Sequence, residues 1–191
     1  MVWPPRISAQ NPGSYRVDSK ASRVEIHLFK GGFLSMLGDN HVIALTSFSG
    51  TAQLSDDKPW WVRMLGDAAS LTVLDPGASA SDRQEVADTM LGPSQLDVKH
   101  YPAIKLLSSS ILPGQQSSNW RLLAEVTLHG VTRQVEFPLD FQETGDRLRV
   151  RGKKDLRLRD FNIQPISKAL GAFRVKNEFE ITYDITLERK P

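Results

Sequence analysis

The chain has 191 residues, of which 40% are hydrophobic and 24% charged, and this composition fits one globular domain. It contains no cysteine, which excludes disulfides, thiolate nucleophiles and thiolate metal ligands. The formal net charge of +2 is too small for a dedicated nucleic-acid-binding protein. No apolar run approaches the ~20 residues that a transmembrane helix needs.

Residues 1–14 include two proline-containing turns and are predicted to form an extended N-terminal arm. They lack the apolar core of a secretory signal. We interpret residues 15–191 as a single β-barrel domain with a helical insertion at about residues 79–99. If Met1 is the native start, the expected location is the cytoplasm.

Alternation of apolar and polar side chains predicts three strands before the insertion, near residues 22–30, 42–54 and 61–70. A helix is predicted over 81–91, with Ser81 and Gln84 as its capping box. Further apolar rows predict strands that contain Ile104, Leu122, Val135 and Leu148, and Ser108–Ser110 is predicted to be a loop.

The last apolar row is the longest, and it runs from Phe173 to Leu187 with only Asn177 out of pattern. A strand of this length would span roughly 50 Å, which is typical of a tilted strand in a closed barrel. About eight strands joined mainly by short turns predict an all-β, up-and-down antiparallel barrel with a helical insertion.

The inward-facing rows have two interpretations: a solid core or a partly open cavity. Small residues at the inward-facing positions of the strands (the inner parity) favour the cavity, because they leave space between larger side chains. These residues are Gly50, Ala52, Gly66, Ala68, Ala124 and Gly152.

Several charged and polar residues each have two interpretations. Lys154 shares the inward-facing positions of its strand and would there meet a polar headgroup or phosphate. The favoured interpretation is instead that a bulge at Gly152-Lys153 returns it to solvent. Asn177 would bond to backbone at a bend or touch a ligand. The strand face 147–159 carries six cations that either attract anionic partners, such as lipid headgroups or nucleic acid, or pair with acids of the last strand. The second interpretation is favoured.

The four histidines are scattered, so no metal site is expected. A loop with Asp39 and His41 gives a third hypothesis, a small enzyme that uses His41. No nucleophile elbow or phosphate-binding loop accompanies it, and no catalytic residue is assigned.

Several blocks of sequence occur in an order typical of one known family. The blocks are Tyr15-Arg16-Val17-Asp18, Phe48-Ser49-Gly50, Leu96-Asp97-Val98, Tyr101-Pro102-Ala103-Ile104, Thr127-Leu128-His129-Gly130-Val131-Thr132-Arg133, Asp160-Phe161-Asn162-Ile163 and Val175-Lys176-Asn177-Glu178. Over roughly residues 15–188 the chain resembles the YceI-like lipid/polyisoprenoid-binding family. The resemblance implies a lipocalin-like barrel with a long apolar cavity, and commonly a periplasmic location.

Parity and resemblance together predict non-enzymatic binding, carriage or sequestration of an elongated apolar lipid, such as a polyisoprenoid or an isoprenoid quinone. No other cofactor, no nucleic acid and no transmembrane segment is expected, and a homodimer stays open. The predicted ligand-binding residues are Ile26, Leu28, Phe48, Met64, Leu106, Val126, Leu128, Phe137, Leu139, Phe161, Phe179, Ile181 and Tyr183.

Overall fold

The computed structural model describes residues 13–31, 40–54, 60–113, 119–168 and 173–190. Most of the predicted N-terminal arm, residues 1–12, and Asp39 of the His41 loop lie outside these ranges. The described strands are β1 (Gly13–Val17), β2 (Arg23–Gly31), β3 (His41–Leu45), β4 (Phe48–Leu54), β5 (Trp61–Asp67), β6 (Leu71–Val73), β7 (Ala103–Pro113), β8 (Asn119–Leu128), β9 (Val131–Thr144), β10 (Arg147–Arg157), β11 (Ser167–Lys168) and β12 (Phe173–Arg189). One α-helix, α1 (Ala80–Leu91), and two 3-10 helices, Ala68–Ser70 and Leu158–Phe161, complete the described elements.

Eight strands close into an antiparallel barrel in the order β1-β4-β5-β7-β8-β9-β10-β12, because β12 pairs back to β1. This confirms the predicted fold class. The long strand β12 pairs with other strands along both of its edges. One of its edges pairs with β10, and the other pairs with β1 near the carboxyl end and with β2 over the rest. Strands β3 and β6 continue the sheet from β2 at one end of the barrel.

The second predicted strand, 42–54, is wrong as a single element, because the chain changes partners at Thr46 and Ser47. Strand β3 pairs with β2 and β6, whereas β4 pairs with β1 and β5. The hydrogen bonds that hold the bend include one from the Thr46 hydroxyl to the Ser70 carbonyl at 2.8 Å and one from the Asp67 amide to the Ser47 carbonyl at 3.0 Å. A periodicity of two cannot reveal such a change, since it is the same before and after the bend.

Three other expectations need correction. Strand β5 ends at Asp67, whose carboxylate accepts the Ala69 amide and caps the first 3-10 helix. Residues Ser108–Ser110 are a register shift within β7 and not a loop. Strands β1 and β6 were not predicted, and β1 begins at Gly13, inside the span predicted as an arm.

The helix α1 is present where it was expected, but its capping box is not Ser81 with Gln84. Ser79 is the N-cap. Its hydroxyl accepts the Asp82 amide at 3.1 Å, and the Asp82 carboxylate accepts the Ser79 amide at 3.3 Å. Gly92 ends the helix by donating its amide to the Asp88 carbonyl at 3.0 Å.

The barrel has two ends that differ in packing. At the first, which we call the filled end, the side chains of β1, β4, β8, β9, β10 and β12 form a continuous core. Trp60 stacks on Trp120 at 5.1 Å, and Trp120 meets Phe141 edge-on at 6.1 Å. The second, which we call the hollow end, is bounded by β2, β3, β6 and α1, and it has a smaller core of Ile43, Leu71 and Val73.

The small inward-facing residues, which were expected to leave space between larger side chains, instead lie against close neighbours. Ala52, Ala68 and Ala124 are at most 2% exposed. A Cβ atom at Gly66 would lie 2.8 Å from a methyl group of Leu45. At these positions a small side chain allows a neighbour to pack closely, so the inner space is already occupied.

Candidate functional site

An apolar cavity of about 460 Å³ occupies the hollow end. Its wall comes from β2, β3, β6, α1, β7, β8, β10, β12, the second 3-10 helix and the segments that follow the two helices. The lining residues are Val24, Ile26, Leu28, Lys30, Gly31, His41, Ile43, Leu45, Leu71, Glu85, Val86, Thr89, Met90, Gln95, Leu96, Ile104, Val126, Leu128, Leu156, Leu158, Phe161, Ile163, Ile166, Arg174, Val175, Phe179 and Ile181. A volume of this size is typical of small-ligand sites, which span ~300–1,000 Å³.

The structure brings seven of the thirteen predicted ligand-binding residues to this cavity. They are Ile26, Leu28, Val126, Leu128, Phe161, Phe179 and Ile181. The other six pack in or against the core of the filled end: Phe48, Met64, Leu106, Phe137, Leu139 and Tyr183. Parity identifies which side chains point inward, but it carries no information on where along the barrel the interior is filled. Contact of any of the thirteen with a ligand stays a prediction.

Tyr183 lies beside the boundary between the two ends. It pairs across the sheet with Val24, which lines the cavity, and its ring meets Phe137 of the core edge-on at 5.9 Å. Its hydroxyl donates to the Pro138 carbonyl on β9. A Cβ atom at Gly152 would overlap this hydroxyl, so only glycine leaves room for the ring. Burial raises the pKa of Tyr183.

Phe161 closes the cavity wall where β9 and β10 part. The two strands pair only between Asp140–Thr144 and Arg147–Arg151, and the 3-10 helix that ends in Phe161 covers the space beyond. The His129 Nδ1–H donates to the Phe161 carbonyl at 3.1 Å. His129 therefore anchors the wall of the cavity.

The histidine itself is placed by a tight turn. His129 and Gly130 have φ angles of 50° and 72°, and the Tyr101 ring packs on the turn with a centroid distance of 4.6 Å to His129. A Cβ atom at Gly130 would meet that ring at 2.6 Å. The Thr127–Arg133 block thus has a structural role in holding Phe161.

His41 lies in the cavity wall at the start of β3. Its Nδ1–H donates to Asp75 Oδ2 at 2.6 Å, and the other carboxylate oxygen accepts the Val42 amide at 2.8 Å. Asp75 is buried, with 6% of its surface exposed. The pair fixes the orientation of the His41 ring, since both carboxylate oxygens are engaged.

Lys154 does not lie on a bulge, so that prediction is wrong. The β10–β12 register is continuous through Gly152, Lys153 and Lys154. Lys154 lines a separate surface pocket beside Val135 and Glu136, and not the apolar cavity. Asn177 takes the backbone role: it lies at a register shift in β12, and its side-chain oxygen accepts the Arg159 amide at 3.1 Å.

The cations of strand face 147–159 are largely neutralised, as the favoured interpretation predicted. Five of the six have a carboxylate within 4 Å. The pairs are Arg147–Glu188, Arg149–Asp184, Arg151–Asp140, Lys153–Glu180 and Arg157–Glu178. The hydrogen bond from Arg149 is the main cause that lowers the pKa of Asp184.

In the described part of the chain, no three His, Asp or Glu side chains cluster as a metal site would require. Over the same residues, no helix combines the length and the apolar character needed to cross a membrane.

Sequence reasoning missed much of the cavity wall. The amphipathic spacing of Val86 and Met90 on α1 was a usable signal, since both line the cavity. No strands of their own were predicted for the residues of β3 and β6, because β3 was merged with β4 and β6 was missed. The cavity residues not predicted for this reason are Ile43, Leu45 and Leu71. Lys30 was a further usable signal, since it alternates in step with Ile26 and Leu28, whereas Arg174 falls on the polar parity of β12.

Comparison with known proteins agrees with this architecture. A family model described as the YceI-like domain matches residues 15–187. No curated protein matches the chain. BcnA from Burkholderia cenocepacia has a TM-score of 0.70 at 19% identity, over 89% of this chain and 98% of its own.

Two further structures are similar. A polyisoprenoid binding domain from Saccharophagus degradans, implicated in plant cell wall breakdown, has a TM-score of 0.65 at 12% identity, over 94% of this chain and all of its own. A Campylobacter jejuni YceI protein has a TM-score of 0.62 at 9% identity, over 78% of this chain and 85% of its own. At these identities the structures establish the fold alone, whereas the family model covers nearly the whole chain. The chain therefore belongs to the YceI-like family.

Proposed function

We propose that the protein binds one elongated apolar lipid at the hollow end of the barrel and carries or sequesters it without chemical change. The observation that carries this proposal is the apolar cavity, whose wall is built mainly from Val, Ile, Leu, Met and Phe side chains. Removing a lipid chain from water into such a space is favourable by ~25 cal/mol per Å² of apolar area, before ordering costs.

An isoprenoid ligand, either a polyisoprenoid or an isoprenoid quinone, is the class that we favour. Membership of the YceI-like family supports it, as does the similar domain from Saccharophagus degradans that is named for polyisoprenoid binding. The cavity of about 460 Å³ holds about fifteen water-sized groups at ~30 Å³ each, so it accommodates a short isoprenoid or one end of a longer chain. Periplasmic transport is consistent with the family.

The alternative of a binding module for anionic partners on strand face 147–159 has less support, because acids already neutralise most of those cations. An enzyme that uses His41 also has less support. The His41–Asp75 pair orients a ring nitrogen, but among the described residues no third His, Asp or Glu joins the pair to complete a metal site.

The test is to fill the cavity. Leu28 lines it, and Leu28→Trp is expected to abolish retention of co-purifying lipid by adding bulk where the tail would lie. Native mass spectrometry of protein purified from a lipid-containing host measures this. The matched control is Leu107→Trp, on the exposed outer face of β7, which should leave lipid retention unchanged. Equal retention by both variants, or no lipid on the wild-type protein at micromolar concentration, would refute the proposal.

A further inference from the structure

Large apolar side chains lie exposed on the outer wall of the barrel, where β5 pairs with β7. Trp61 and Leu65 on β5 are 38% and 50% exposed, and Leu107 on β7 is 44% exposed. Leu107 lies opposite Arg63 in the register of the two strands, so it is the diagonal neighbour of both Trp61 and Leu65. Exposed apolar residues are ordinary when they are scattered singly, whereas adjacent ones mark an interaction surface. We call Trp61, Arg63, Leu65, Lys105 and Leu107 the outer apolar face.

The two cations of this face lie among its apolar side chains. The Arg63 guanidinium is 5.9 Å from the centre of the Trp61 ring, and Lys105 lies opposite Leu65. In the described part of the chain neither cation has a carboxylate within 4 Å, whereas five of the six on strand face 147–159 do. Arg63 and Lys105 can therefore pair with anionic groups of a partner.

The wall around the outer apolar face is positive on balance. The outward positions of the adjacent strands β1, β4, β5, β7 and β8 hold four cations and two carboxylates. One of the cations, Arg121, pairs with Glu136 of β9 at 3.5 Å. Of the carboxylates, Asp67 accepts the Ala69 amide at the end of β5, and Glu125 lies opposite Leu107. The cations are Arg16, Arg63, Lys105 and Arg121, and the carboxylates are Asp67 and Glu125.

A bilayer surface suits this combination of side chains better than a second copy of the chain does. At a lipid–water interface, Trp and Leu side chains enter the apolar boundary while Arg and Lys side chains extend to the lipid phosphates. A symmetric dimer across the same face would instead bring Arg63 and Lys105 of both copies into one dry interface. Like charges repel there, and a buried charge is costly unless it is paired.

We propose, resting in part on the function proposed above, that the outer apolar face docks the barrel on a bilayer that contains anionic phospholipid. Docking would hold a lipid carrier at the surface where its cargo enters and leaves the bilayer. The face is separate from the ligand cavity, since Trp61, Leu65 and Leu107 are not among the residues that line it. Strand face 147–159 would stay in water, because acids of the same molecule already neutralise most of its cations.

The experiment is vesicle flotation with two compositions, phosphatidylcholine alone and equal parts of phosphatidylcholine and phosphatidylglycerol. The wild-type protein is expected to bind the anionic vesicles about tenfold or more tightly, because each cation near an anionic surface contributes about fivefold. The variant Arg63→Gln/Lys105→Gln should lose that preference. The matched control, Arg151→Gln/Lys153→Gln, removes the same charge from strand face 147–159 and should bind as the wild-type protein does.

A second variant tests the apolar part of the face. Leu65→Ser/Leu107→Ser should weaken binding to the anionic vesicles about tenfold, because less apolar surface leaves water on docking. Both side chains are about half exposed, so the variant is expected to fold. Brominated phospholipid in the vesicles should quench the fluorescence of the wild-type protein more than that of Trp61→Phe. This comparison reports contact of the Trp61 ring with lipid.

Three results would overturn the docking proposal. They are failure of the wild-type protein to bind anionic vesicles, equal binding by Leu65→Ser/Leu107→Ser, and a dimer in sedimentation experiments that this variant dissociates, since a second copy would then cover the face. Retention of co-purifying lipid separates this proposal from the cavity function. Leu65→Ser/Leu107→Ser should retain lipid as the wild-type protein does in native mass spectrometry. Absence of lipid from the wild-type protein would refute the cavity function, and vesicle binding would still decide the docking.

Discussion

The two ends of this barrel share strands β8, β10 and β12 and the same alternation of side chains, yet one end is solid and the other is hollow. At the filled end, Leu122, Ala124 and Phe137 are at most 6% exposed and pack among aromatic rings. At the hollow end, Ile26 and Leu28 on β2 are half-buried and line open space. The difference lies in the interior: stacked rings of Trp60, Trp120 and Phe141 occupy one end, whereas the inward side chains of the other end line a cavity.

The comparison shows that stability and binding capacity are separated along the barrel axis. A close-packed core supplies the stability, and this allows the opposite end to leave apolar surface unfilled. Substitutions should therefore act on stability at one end and on ligand binding at the other.

The sharpest test replaces leucine by alanine at each end. Leu122→Ala is expected to destabilise the protein by ~2–5 kcal/mol, because it leaves a cavity in a packed core. Leu28→Ala should cost ~1 kcal/mol or less, since part of its side chain already faces open space. Urea unfolding measures both losses of unfolding free energy, provided that the slope of this free energy against urea concentration is the same as in the wild-type protein. Equal losses for the two variants would contradict the division into a filled and a hollow end.

The next test concerns Tyr183, beside the boundary between the ends. Tyr183→Phe leaves the Pro138 carbonyl without its donor and should destabilise the protein by ~1–2 kcal/mol at pH 7. The difference in unfolding free energy between the wild-type protein and Tyr183→Phe should become smaller in alkaline solution. Burial raises the pKa of Tyr183 in the folded protein above the ordinary value of 10.0, so its stabilising contribution is complete below pH 10 and is lost as the pH rises further.

Unfolding free energies of the wild-type protein and Tyr183→Phe at pH 8 and pH 11 measure this effect. Each pH unit above 10 should remove ~1.4 kcal/mol from the wild-type protein that the variant does not lose. A constant difference between the two proteins across this range would mean that the hydroxyl is not buried as described.

The sequence predicted the closed barrel and the inward-facing rows because alternation is a local property of each strand. It could not predict where along the barrel the inward-facing rows enclose empty space. That depends on contacts between residues distant in sequence, such as Gly152 with Tyr183 or Gly66 with Leu45. The same limit explains why one predicted strand became β3 and β4. Partner choice is set by topology, which the alternation does not encode.

The smallest expected effect concerns an ion pair on the outer wall, away from the cavity of the hollow end. Asp184 pairs with Arg149 at 2.5–2.6 Å, and that hydrogen bond holds the pKa of Asp184 below its ordinary value. Its contribution to stability is therefore present above the ordinary value of 3.8 and is lost as the pH falls through the folded pKa. Asp184→Asn should lower the thermal midpoint slightly at pH 7 and not at pH 2, because exposed ion pairs contribute little. Lipid retention should be unaffected, since the pair lies outside the cavity. Loss of lipid from Asp184→Asn would show that the outer wall and the hollow end are not independent.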